Sequence, residues 1–115
     1  MITTIHGTGI DLTEAIKTYT LEKIGSLEKF FAKVTKVEID IGLRTHHHQK
    51  GKLYYAEVNM SVPGTMIRVV KEAEDLYKAI DKVKDHLKIE LETVKEKTLA
   101  RDKKKIRQNK EYKEE

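Results

Sequence analysis

No cysteine occurs in this chain, no tryptophan, and only one proline. The missing thiols exclude disulfides, thiolate metal sites and a cysteine nucleophile, and they suit a reducing compartment. No stretch approaches the ~20 consecutive apolar residues that a membrane-spanning helix needs. The opening, Met1-Ile2-Thr3-Thr4-Ile5-His6-Gly7, has neither a basic start nor a long apolar run, so no signal peptide is expected. These absences point to the cytoplasm.

Charge is what the chain has in quantity. Of its 115 residues, 37% are charged and 38% hydrophobic, which allows one domain with a single modest core. The formal net charge of +4 is uneven: residues 1–97 carry 16 Lys/Arg against 15 Asp/Glu, and residues 98–115 carry 7 against 4. A cationic tail on a nearly neutral body suggests a polyanionic partner, nucleic acid or an acidic membrane. Beyond Leu99 and Ile106 the tail has no apolar face, which disfavours the membrane.

Residues 2–6 read as a strand, followed by a turn at Gly7 and Gly9. Either Asp11 or Thr13 can cap the helix that follows, Asp11 with Glu14 having capping-box spacing. Leu12, Ile16, Ile24, Leu27 and Phe31 form its apolar stripe, with Thr20 on the same line, and its end is expected near Phe30 and Phe31. Gly25 inside it suggests close packing or a bend, because a helical glycine costs ~1 kcal/mol relative to alanine. Val37, Ile39, Ile41 and Leu43 alternate with polar residues as a strand. In residues 53–62, Tyr54, Ala56, Val58, Met60 and Val62 take one face of another strand. Pro63-Gly64 is a turn signal, so a strand at 66–71 should pair back.

A long helix at about 75–97 carries Leu76, Ile80, Val83, Leu87, Leu91 and Val94 on one stripe. The order is therefore β-α-β-β-β-α. It implies an α+β fold with a four-stranded mixed sheet, both helices on one face and the other face polar and open to water. Residues 1–97 form the domain; residues 98–115 are expected to be a flexible charged tail.

Catalytic equipment is lacking. At most His46 and His48 of the triplet His46-His47-His48 could share a ligand face, and no Cys, Asp or Glu stands nearby to complete a metal site. A solvated loop is the better reading. Gly7-Thr8-Gly9 lacks the third glycine and the acidic residue of a dinucleotide-binding turn. The acids at 81, 85, 90 and 92 are interleaved with Lys78, Lys82, Lys84 and Lys88, as ordinary i,i+4 ion pairing would have it. No metal, no cofactor and no enzymatic activity are expected.

The lysines offer a sharper possibility. Lys84, Lys88 and Lys95 cluster with Tyr77 on one flank of the last helix's apolar stripe. On the first helix, Lys23 lies near the stripe's edge and Lys17 and Lys29 further out. If the helices lie side by side, their flanks make a surface that can hold phosphates by replacing counterions; a solvated helix face is the competing reading. Arg101, Lys103, Lys104, Lys105, Arg107 and Lys110 are offset only by Asp102 before the acidic end.

Ile5-His6-Gly7 leading to Leu12-Thr13-Glu14-Ala15-Ile16, then Tyr19, Lys23, Leu27 and Lys29, resembles the opening of the ribosome hibernation factors. This family includes hibernation-promoting factor and the ribosome-associated inhibitor called protein Y. Asp75-Leu76-Tyr77-Lys78-Ala79-Ile80-Asp81, followed by Val83, Leu87 and Leu91, is similar to the family's Asp-x-Tyr-x-Ala-Ile-Asp/Asn stretch. The resemblance covers about residues 1–97.

The resemblance implies a non-enzymatic translation inhibitor of stress or slow growth. It would bind the small ribosomal subunit between head and body, over the tRNA sites and the mRNA path, and be a monomer off the ribosome. The candidate RNA-binding residues are Lys17, Lys23, Lys29, Lys84, His86, Lys88, Lys95, Lys97, Arg101, Lys103, Lys104 and Lys105. Thr8, Ser26, His86, Ile89 and Thr93 depart from positions that are commonly basic in the family. The length resembles the short members, and the charged tail looks more like the protein Y type, whose tail enters the mRNA channel. A general double-stranded-RNA-binding module and a protein-interaction module using the polar sheet face around Tyr55 are the alternatives.

Overall fold

The computed structural model describes residues 2–44 and 53–113, with side chains through residue 100. The loop holding His46, His47 and His48 lies outside the described residues. The elements are β1 (Ile2–Thr8), α1 (Glu14–Phe30), β2 (Lys36–Arg44), β3 (Leu53–Val62), β4 (Thr65–Ala73) and α2 (Leu76–Lys113). The strands lie in the order β1-β2-β3-β4. β1 is parallel to β2, and the other two pairings are antiparallel. This is the expected α+β arrangement, a crossover followed by a meander.

Strand alternation builds the core. Val37, Ile39 and Ile41 of β2, Ala56, Val58, Met60 and Val62 of β3, and Ile67, Val69 and Ala73 of β4 are buried with the helices' apolar stripes. Ile24, Leu27 and Phe31 close it from α1, and Leu76, Ile80, Val83, Leu87 and Leu91 from α2. Thr20, fully buried on the α1 stripe, satisfies its hydroxyl by donating to the Ile16 carbonyl at 2.8 Å.

Of the two possible caps for α1, Thr13 is the one used, its Oγ1 accepting from the Ile16 N–H at 3.2 Å. Asp75 serves the same purpose for α2, Oδ1 accepting from the Tyr77 N–H at 2.7 Å. At the end of β1, Gly9 has φ +68°, a left-handed conformation that explains the glycine in that turn without any ligand. Close packing does not explain Gly25, because a Cβ there would meet nothing within 4 Å.

The second departure from expectation is the length of α2. It continues past residue 97 to Lys113. Residues 98–113 contain neither glycine nor proline and are rich in Lys and Arg, both good helix formers. A helix already nucleated against the sheet propagates readily through such a sequence. At ~1.5 Å per residue the whole element is roughly 57 Å long.

Candidate nucleic-acid interface

α1 and α2 lie side by side and point the same way. Tyr19 and Lys23 meet Tyr77 and Asp81, and further along both helices Phe30 meets Lys88 and Lys95. On α1 the residues at this seam, Tyr19, Lys23 and Phe30, follow i, i+4, i+11. On α2 the matching stripe is Tyr77, Asp81, Lys84, Lys88 and Lys95, each three, four or seven residues from the last, the spacing that keeps side chains on one helix flank. The flank proposed from the sequence thus faces the neighbouring helix.

The first end of the seam is a locked cluster. Tyr19 donates its hydroxyl to Asp81 Oδ1 at 2.6 Å, and the same oxygen lies 3.9 Å from Lys23 Nζ. Tyr19 and Tyr77 pack edge to face with centroids 4.8 Å apart, and Lys23 Nζ stands 5.4 Å from the Tyr19 centroid. The hydrogen bond to Asp81, with burial and the carboxylate's charge adding to it, pushes the Tyr19 phenol up to about 12. Asp81 therefore serves the helix–helix contact, not the i,i+4 pairing along α2 expected from the sequence. The second end is cationic: Lys88 and Lys95 hold their ammonium groups 5.8 Å and 5.0 Å from the Phe30 centroid.

Other candidates fall elsewhere. By helical geometry Lys17 is on the flank of α1 away from α2, and Lys29 points outward; both are exposed. His86 and Lys97 are on the opposite flank of α2 from Lys84. His86 lies 3.3 Å from Glu90 and lines an open hollow of about 300 Å³ with Lys71, Lys82, Asp85 and Ile89. Arg101, Lys103, Lys104 and Lys105 are on the extended part of α2. Sequence reasoning missed Phe30 as a surface-bordering residue; its i,i+7 relation to Lys23 was the available signal.

The polar sheet face is less free than its sequence suggests. Tyr55 on that face is only 7% exposed. It donates to Asp40 at 3.1 Å and lies beneath the Arg44 guanidinium, 4.9 Å from its centroid, and burial foremost raises its pKa. Among the described residues no group of His, Asp and Glu could hold a metal ion, and no helix is long and apolar enough to cross a membrane.

Residues 3–99 match the family described as Sigma 54 modulation protein / S30EA ribosomal protein. The chain belongs to this family. Among its relatives, the ribosome hibernation promotion factor of Staphylococcus aureus is 31% identical over 83 residues, which are 72% of this chain and 42% of that protein. The chain thus spans less than half the length of that curated relative. The N-terminal domain of Thermus thermophilus Protein Y superposes with a TM-score of 0.62 at 26% identity, over 80% of this chain and 94% of that one. A ribosomal subunit interface protein from Coxiella burnetii shares the fold, with a TM-score of 0.72 at 21% identity over 83% of this chain and 98% of that one. In this S30EA-family chain, Lys23 of α1 and Lys88 and Lys95 of α2 border one seam.

Proposed function

We propose that this S30EA-family chain is a non-enzymatic, ribosome-binding translation inhibitor acting in the cytoplasm. In this reading it occupies the small subunit over the tRNA sites and the mRNA path, so that a bound ribosome is idle by steric exclusion. The observation that carries the reading is the seam, where Lys23, Lys88 and Lys95 stand along two parallel helices fixed on one sheet, with Lys84 on the same flank of α2 by helical geometry. The packed helices fix where these lysines project, and affinity then comes from backbone charge and shape more than from base edges.

Residues 1–97 would be the binding domain, monomeric when free, and residues 98–115 a cationic extension with Arg101, Lys103, Lys104 and Lys105 added to the same electrostatic footprint. Lys17 and Lys29 would extend contacts to the outer surface of α1, and His86 and Lys97 to the far flank of α2.

The test is gradient sedimentation of the tagged protein with small subunits, followed by competition with tRNA and mRNA. Co-sedimentation lost on adding either competitor supports the reading. Equal affinity for free duplex RNA and for subunits would instead favour a general RNA-binding module.

A further inference from the structure

Phe30 and Phe31 are neighbours in sequence, yet only one is a core residue. Phe31, at the C-cap of α1, is 6% exposed, whereas Phe30 is half-buried at the rim of the core. An aliphatic side chain would fill a rim position equally well; what an aromatic ring adds is a π face. That face is held by two cations of the other helix, Lys95 at 5.0 Å and Lys88 at 5.8 Å from the centroid. The two lysines are seven residues apart, two turns or roughly 10 Å along α2.

We infer that Phe30 is a stacking platform for an unpaired RNA base, with Lys88 and Lys95 taking the phosphates on either side of the stacked nucleotide. The inference rests on the RNA-binding reading above and names the kind of RNA. A cation over a partly exposed ring is only weakly held. An incoming nucleotide offers each ammonium group a phosphate, with release of counterions, and offers the ring a base. A base inside a duplex cannot reach the ring, because duplex bases are already stacked within the helix. The ligand is therefore single-stranded or loop RNA, bound with little sequence preference since every base has a π face. Lys23 lies two turns before Phe30 on the same stripe of α1, so a strand leaving the platform can follow the seam past Lys84.

The chain contains no tryptophan, so Phe30→Trp in the full chain introduces a single indole reporter. Its fluorescence is read during titration with oligouridine, oligoadenine, duplex RNA of equal length and small ribosomal subunits. Quenching by the single strands and the subunits, and none by the duplex, is expected. Phe30→Leu should weaken single-strand binding by roughly 5- to 150-fold, the range for loss of one base–aromatic stack, while Phe30→Tyr binds as the parent does. If the unaltered protein binds neither oligonucleotides nor subunits, the RNA reading fails and the platform with it. If it binds both, yet the indole is unquenched and Phe30→Leu binds as tightly, the platform alone is overturned.

Discussion

Tyr19 and Asp81, 62 positions apart in sequence, are joined by a 2.6 Å hydrogen bond that ties α1 to α2. The same carboxylate oxygen faces Lys23 at 3.9 Å, so one side chain sets both the spacing of the helices and the place of a seam cation. Hydrogen bonds to a charged partner are worth ~1.5–3 kcal/mol, and Tyr19→Phe should destabilise the domain by about that much or somewhat less, since Asp81 keeps water and Lys23 as partners. A urea denaturation midpoint unchanged from the parent would show that the bond contributes nothing.

The same bond has a signature at high pH. The Tyr19 phenol is raised to about 12 in the folded protein, against 10.0 for an ordinary tyrosine. Between those values the unfolded chain has lost this proton and the native state still holds it. The stabilisation is therefore complete below about pH 10 and disappears as pH climbs towards 12. In an ultraviolet titration one of the five tyrosines should ionise near 12, and Tyr19→Phe should remove that late step. A titration in which every tyrosine ionises near 10 would contradict the geometry.

Two glycines should respond to alanine in opposite ways. A Cβ at Gly42 would lie 2.1 Å from the Thr8 carbonyl oxygen and 3.0 Å from the Tyr55 ring, so Gly42→Ala must push β1 away from β2. A loss of several kcal/mol, on the order of the larger core overpacking effects, is expected from thermal unfolding. Gly25 has open space instead, and Gly25→Ala should stabilise α1 by ~0.5–1 kcal/mol. Equal effects at the two sites would mean that at least one of these environments is not as described.

Charge reversal should map the binding surface. Combined Lys23→Glu and Lys29→Glu is expected to abolish co-sedimentation with small subunits while the circular dichroism stays native, and the pair Lys88→Glu and Lys95→Glu should do the same. Lys17→Glu alone, on the far flank of α1, should cost less. Each lost phosphate contact should also flatten the plot of log affinity against log salt by roughly 0.7–0.9 units. If both double variants bind normally and Lys17→Glu does not, the surface has been placed on the wrong flank.

The element order and the buried faces of β2 and β3 could be read directly because alternation and helical spacing are local, and burial acts on one residue at a time. Val37, Ile39 and Ile41 announce their face, and Leu76, Ile80, Val83 and Leu87 theirs. Tyr55 misleads for a related reason: it stands on the polar face by register and is buried there by Gly42, Asp40 and Arg44, partners that only pairing across strands supplies. The continuation of α2 to Lys113 was hidden because high charge masks a sequence of good helix formers.

Spacing along the chain determined which flank of α2 carries Lys84, Lys88 and Lys95, since that depends only on the helical repeat. What that flank faces was decided by the tertiary structure. Packing both helices in parallel on one sheet brings Lys23, Asp81 and Phe30 to the same seam, and no local rule links positions so far apart. The physical reason is that cations gain a shared electrostatic field, and an aromatic ring gains its cationic neighbours, only after the core has fixed the distance between two helices.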